Sequence, residues 1–257
     1  RSIKLFMSPE LGRFKSQETN LVLYDNLVEV PIIIEGENDG VFNENDRILF
    51  YGRGHSGFDV NGNTVEWNQN LYFNHNTCWI FLPDESSLRG LRIEESILPS
   101  EIDLTLDYGF SYFHYENDLF NPELSGLYWY GSSINSGGSQ PIFTDTPNAK
   151  ENVDGTIELK LKGHSTSGSL NTFHSIELNA NDPFSNKIGN TLQWSGNGTR
   201  TISGLLRSED LLQAGNTFFV NNSSDDINSS PYIDYLSIKY GRRLVYNGNG
   251  MEFFSPI

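Results

Sequence analysis

The sequence predicts an all-β chain built from two β-units, the C-terminal one a jelly-roll-like β-sandwich. Three observations carry this prediction. Apolar residues recur at every second position, as in Ile157-Glu158-Leu159-Lys160-Leu161-Lys162, which is the period of a half-buried strand. Turn signals separate nearly all such runs, at Asn38-Asp39-Gly40, Asn61-Gly62-Asn63, Ser136-Gly137-Gly138, Asp154-Gly155 and Asn197-Gly198, where Gly and Asn accept the backbone angles that tight turns need. Helix signals are scarce. Only Ser208-Glu209-Asp210-Leu211-Leu212-Gln213-Ala214-Gly215 has an N-cap serine, early acids and a closing glycine, and it predicts one or two turns.

Taken in order, the chain starts at Arg1 on strand-like sequence, so we expect a piece processed or excised from a longer protein. Strands are predicted at residues 20–24, 27–35, 47–51, 71–82 and 91–94. A seam follows near residues 96–103. Next comes an aromatic-rich segment (108–130), then a Gly/Ser/Pro-rich stretch (132–148). From residue 154 to 246 the strand rhythm is regular. Ile176-Glu177-Leu178-Asn179-Ala180 alternates, Thr217-Phe218-Phe219-Val220 favours strand, and Leu236, Ile238 and Tyr240 share a face opposite Ser237 and Lys239. The predicted domains are therefore an N-terminal β domain over 1–100 and a jelly-roll-like β-sandwich over 101–257.

The chain has 257 residues with 17 basic and 33 acidic side chains, a formal charge of −16. That balance opposes nucleic-acid phosphates and anionic membrane surfaces. It is compatible with calcium, with neutral glycans, or simply with solubility in a salty medium. No apolar run reaches the ~18 residues of a membrane span, and no signal peptide is visible. The lone Cys78 has no internal disulfide partner, and its setting between Thr77 and Trp79 predicts a small buried hydrophobe rather than a thiolate.

The most suggestive loop covers residues 35–46, Glu35-Gly36-Glu37-Asn38-Asp39-Gly40-Val41-Phe42-Asn43-Glu44-Asn45-Asp46. Oxygen-bearing residues recur along it, with Gly40 at the sixth place and the apolar Phe42 at the eighth. Calcium takes six to eight hard oxygen ligands, so Glu37, Asp39, Asn43 and Asp46 are the candidate metal ligands. The loop departs from a calcium loop at its ends, which are Glu and a short Asp, and the alternative is an acidic β-turn joining two strands. His55, His75, His114, His164 and His174 show no zinc spacing. His114, near Glu116 and Asp118, admits an acid–base role or a structural one within an aromatic cluster. Trp67, Tyr128, Trp129 and Trp194 are candidates for stacking on sugar rings, or else core aromatics. No catalytic constellation emerges: no G-x-S-x-G elbow, no credible Cys–His dyad and no distinguished carboxylate pair. Asn197, Asn221, Asn222 and Asn228 head N-x-[ST] triplets, which arise easily in an Asn-rich chain.

Two stretches carry a resemblance. Residues 27–52, with Val30-Pro31, Glu35-Gly36-Glu37, Asp39-Gly40, Phe42, Asp46 and Phe50-Tyr51-Gly52, are followed by Asn70-Leu71-Tyr72 and Cys78-Trp79-Ile80-Phe81-Leu82. The second is Phe113-His114-Tyr115-Glu116-Asn117-Asp118 with Ser125-Gly126 and Trp129-Tyr130-Gly131. Together they resemble the region ahead of the catalytic domain in gingipain-like cysteine peptidases, including the type IX secretion sortases of Bacteroidota. Residues 232–240 resemble the closing sandwich strand there, and Met251-Glu252-Phe253-Phe254 the lead-in to the next domain. The resemblance implies a secreted or cell-surface setting and carries no catalytic residue across. The expected function is a non-catalytic module that supports or docks a neighbouring domain of the same or a processed polypeptide. A glycan-binding module and a subunit of an extracellular surface assembly are the alternatives.

Overall fold

The computed structural model describes residues 3–7, 27–61, 64–71, 74–82, 89–94, 105–246 and 253–255. The chain divides into two compact units, Arg1–Ile102 and Asp103–Ile257.

The first unit contains β1 (Lys4–Met7), β2 (Val28–Val30), β3 (Ile32–Glu35), β4 (Arg47–Phe50), β5 (Gly57–Asn61), β6 (Thr64–Asn68) and β7 (Cys78–Phe81). A three-stranded sheet has the order β2-β1-β7, and β3–β4 and β5–β6 form separate antiparallel pairs. The strand predicted over 27–35 is thus two strands with Pro31 between them. Proline has no N–H to give a ladder, and the chain changes partner there, from β1 to β4. Of the described residues in the prediction over 71–82, those of β7 form strand, and 91–94 makes only a bridge from Arg92 to Ile32. The predicted strand at 20–24 lies outside the described residues. The β5–β6 pair is the converse: only its turn was legible, although Phe58 faces Trp67 and Val60 faces Val65 across it. Among the described residues, Ile3, Leu5 and Ile32 are buried in the core of this unit, with Val30, Ile34, Ile48 and Cys78 packed against them.

The second unit contains β8 (Tyr108–Glu116), β9 (Ser139–Thr144), β10 (Gly155–Lys162), β11 (Phe173–Ala180), β12 (Lys187–Ser195), β13 (Thr199–Leu206), β14 (Asn216–Asn222) and β15 (Tyr232–Arg243). One sheet runs β13-β10-β15-β8 and the other β12-β11-β14-β9, with every pairing antiparallel. First and last strands are thus neighbours, as in a jelly roll. The alternation read from the sequence is realised. Ile157, Leu159, Leu161, Leu236, Ile238 and Tyr240 are buried from one sheet; Ile176, Leu178, Phe218 and Val220 are buried from the other. Each such side chain stabilises by about 1.5–3 kcal/mol. A register shift between Lys160 and Leu161 leaves Asp234 as an extra residue on β15, a β-bulge.

The helix predicted from Ser208 is a single 3-10 turn, Ser208–Asp210. Arg207 holds the N-cap place with no side-chain cap, and Ser208 Oγ instead accepts the Asn152 N–H at 3.1 Å. Arg207 Nε and Nη2 donate to the buried Asp210 carboxylate at 3.0 and 2.9 Å. Leu211 returns to extended backbone and joins the core, so burial stops the helix.

Candidate functional site

The acidic loop begins where β3 ends. Gly36 (φ 95°) and Gly40 (φ 72°) bracket a 3-10 turn over Glu37–Asp39. Both lie in the left-handed region that favours glycine. At Gly36 a Cβ would stand 1.8 Å from Asp46 Oδ1, so the Asp46 carboxylate occupies the space that any side chain there would need. Asp46 Oδ2 accepts the Asn43 N–H at 2.7 Å, Asn43 Oδ1 accepts from Asn45 N–H at 3.0 Å, and Asp39 Oδ1 accepts from Val41 N–H at 2.8 Å. Glu37 points elsewhere. Arg92 grips it with Nη2 at 2.7 Å and Nε at 3.1 Å, and Arg89 stands at 3.6 Å. The hydrogen bonds from Arg92 hold the Glu37 carboxyl below the usual carboxylate range. Arg92 Nη1 also donates to the Gly90 and Ile3 carbonyls at 3.0 and 3.3 Å. The four predicted metal ligands therefore share one loop, with Asp39, Asn43 and Asp46 bonded to loop backbone and Glu37 committed to an arginine. Among the described residues, no group of three or more His, Cys, Asp or Glu side chains is placed to hold a metal ion.

His114 lies on β8, on the face of its sheet turned away from the sandwich core. Ser237 of β15 is directly opposite it in register. Nδ1 of His114 is hydrogen-bonded to Ser237 Oγ at 2.6 Å and Nε2 to Glu116 Oε2 at 3.0 Å. The ring lies 5.1 Å from that of Tyr235, whose hydroxyl donates to Glu158 Oε1 at 2.6 Å. Serine, histidine and carboxylate are the chemical parts of a nucleophilic triad, but the setting differs from one. β15 is paired along both sides, to β10 and to β8, so the backbone beside Ser237 is engaged in sheet pairing rather than held open as an oxyanion hole. The His114 side chain is 3% exposed. The arrangement cross-links β8 to β15. Close by, burial raises the carboxyl pKa of Asp118 and of Asp234, with Glu116 adding repulsion to both; Lys160 Nζ pairs with Asp234 at 3.0 Å. Cys78 is half-buried and free, and burial pushes its thiol pKa up, the opposite of an activated nucleophile.

Of the candidate aromatics, Trp194 is core: it is buried and its ring lies 4.7 Å from that of His174. Trp67 packs edge-on against Phe58 at 5.0 Å. Tyr128 and Trp129 are exposed, at 58% and 43%. They belong to a loop over residues 119–129 that the sequence presented only as part of an aromatic segment. Its base is closed by the Phe120–Tyr130 bridge, with N–H···O distances of 2.9 and 2.8 Å. Phe120 and Tyr130 both contact the Tyr232 ring, at 5.9 and 6.2 Å. Inside the loop, Asn121 Oδ1 accepts the Ser125 N–H, Ser125 Oγ accepts the N–H groups of Leu127 and Tyr128, and Trp129 Nε1 donates to the Gly126 carbonyl. Lys162 pairs with Glu123. Leu124 sits at φ 50°, a left-handed conformation costing a non-glycine residue roughly 1–3 kcal/mol, and its side chain is 91% exposed.

No family model matches the sequence, and no curated protein matches it. Solved structures do. Dimeric latent PorU from Porphyromonas gingivalis matches with a TM-score of 0.68 at 17% identity, over 99% of this chain and 23% of that one. The CBM36-1 domain of a multidomain xylanase from the hindgut metagenome of Trinervitermes trinervoides reaches only 0.33 at 14% identity, over 55% of this chain and 99% of that one. A carbohydrate-binding module CBM36 in complex with calcium and xylotriose reaches 0.34 at 10% identity, over 50% and 98%. Likenesses as slight as these two carry no argument about ligands. The likeness to PorU extends over both units, and this chain spans about a quarter of that protein's length. In fold the chain matches a segment of PorU end to end, in keeping with the resemblance to gingipain-like and sortase-like N-terminal regions carried by residues 27–52 and 113–131.

Proposed function

We propose that the chain is a non-catalytic β-module of a longer secreted or cell-surface protein, and that it supports and docks a neighbouring domain of that polypeptide. The observation that carries this reading is the PorU likeness, in which the matching fold is 23% of a much longer chain. Two features of the site support it. The Ser237–His114–Glu116 set is locked within a sheet face, and Cys78 has the pKa shift of an inert thiol. Mixing the purified chain with the separately produced remainder of its polypeptide tests the reading by isothermal calorimetry. A complex of micromolar affinity or tighter is expected; no heat and no co-sedimentation would remove it.

A glycan-binding role is the second reading, favoured by the exposure of Tyr128 and Trp129. It requires hits on a glycan array that disappear in Trp129→Ala. Calcium held through Glu37, Asp39, Asn43 and Asp46 is a separate proposal, and it requires Glu37 to leave Arg92.

A further inference from the structure

We infer that the loop over residues 119–129 is the surface by which this module docks its neighbouring domain; the inference rests on the docking reading above and names its contact. Leu119, Phe120, Leu124, Leu127, Tyr128 and Trp129 are all exposed, six apolar side chains within eleven positions. Scattered apolar residues on a surface need no explanation, whereas a contiguous set marks an interaction site. The loop is also held in shape before any partner arrives. Its base is bridged to Tyr130, its turns are tied by Asn121 and Ser125, and the Trp129 indole N–H is bonded to the loop's own Gly126 carbonyl. Tyr128 and Trp129 nevertheless stay 58% and 43% exposed. A preorganised loop loses less entropy on binding, and Trp and Tyr are the residues that most often anchor interfaces.

Charge points to the kind of partner. Within the loop the one charged residue is Glu123, and Lys162 neutralises it. The loop therefore carries no uncompensated charge on a chain of net charge −16. Two such chains repel one another at long range, which disfavours a second copy as the occupant. A neutral apolar face on an adjoining domain fits, because tethering in one polypeptide supplies a high effective concentration.

Thiol labelling tests the contact. In a Cys78→Ala background, Leu124→Cys and Phe184→Cys each place one reactive thiol at an equally exposed point, Phe184 being 94% exposed on the turn between β11 and β12. Both should react rapidly with iodoacetamide in the 257-residue chain. In the longer polypeptide, labelling at position 124 should slow at least tenfold while position 184 is unchanged. Equal rates at 124 in the two contexts, slow labelling already in the isolated chain, or equal slowing at both positions would each overturn the inference. Binding in trans separates it from the reading beneath it, and uses no engineered thiol. Binding abolished by Leu124→Asp with Trp129→Ser supports the loop. Binding that survives those changes removes the loop and leaves docking standing; no binding by the unaltered chain removes both.

Discussion

Replacing Arg92 by glutamine should loosen the first unit far more than a surface ion pair would suggest. Exposed pairs contribute about 0–1 kcal/mol, but Arg92 is nearly buried, with a side-chain exposure of 13%, against 34% for Glu37. Its guanidinium makes a forked contact with the Glu37 carboxylate and donates to the carbonyls of Gly90 and Ile3. A hydrogen bond to a charged group contributes roughly 1.5–3 kcal/mol, and solvent at Glu37 brings that to the lower end. Two carbonyls left without their donor add about 1 kcal/mol. The sum is about 2–3 kcal/mol. For a unit of this size each kcal/mol moves Tm by about 4–8 °C, so scanning calorimetry should show a fall of roughly 8–24 °C in the transition of the first unit. A double-mutant cycle with Glu37→Gln isolates the pair and should return a coupling near 1 kcal/mol. A fall below about 3 °C, or strictly additive single changes, would show that the acidic loop is not held by this clamp.

Other expectations follow from the same structure. Calcium bound through Glu37, Asp39, Asn43 and Asp46 has to draw Glu37 from Arg92 and the other three side chains from loop backbone; on that proposal millimolar calcium should raise Tm by several degrees, a rise lost in Asp46→Asn, whereas a Tm unchanged within about 1 °C on adding or chelating calcium would remove it. His174 is fully buried, with Nδ1 bonded to Ser229 Oγ at 2.8 Å and Nε2 lacking a partner of good geometry. Burial lowers its pKa below the ordinary value, so the folded chain binds this proton less readily than the unfolded chain. That part of the stability is complete above the unfolded pKa of about 6.5 and is lost as pH falls below it, by up to ~1.4 kcal/mol per pH unit. Urea midpoints at pH 7.5 and 5.0 should therefore diverge less in His174→Gln than in the wild type, and an equal divergence would exclude His174 as the source. Leu159→Ala, at a fully buried position of β10, should cost about 2–5 kcal/mol, whereas Phe184→Ser should change stability by less than about 0.5 kcal/mol; comparable losses at the two positions would contradict the assignment of the core.

Legibility in the sequence followed the strength of each local signal. The strands β10, β11 and β15 were plain because one face is buried and the other solvated, which writes an alternation directly into the residues. The strand β8 was less plain. Its outward residues Phe110 and Tyr112 are themselves half-buried and the His114 side chain is almost wholly covered, so the alternation is blurred by aromatics on both faces. In the first unit, residues 27–35 read as one strand, and neither the break at Pro31 nor the change of partner from β1 to β4 was visible locally. The acidic loop was found from composition and spacing alone. Its attachment was not, because Arg92 lies 55 positions from Glu37 and no local pattern links them. The same holds for His114: its neighbour Glu116 was visible in the sequence, while Ser237, 123 positions away, was not.

By itself, then, the sequence determined the all-β class, the alternating core faces of the sandwich, the turn positions and the resemblance to N-terminal regions of gingipain-like proteins, since all of these are properties of short windows. The tertiary structure decided the jelly-roll strand order, the separation of buried Trp194 from exposed Trp129, and the commitment of Glu37 to an arginine rather than to its loop neighbours. Those are matters of which distant residues meet, and pairing across a sheet is set by global packing rather than by any local propensity. The loop over 119–129 shows the division most clearly. Its aromatic content was readable at once, but only the folded chain shows Leu124 held in a left-handed conformation with its side chain in water.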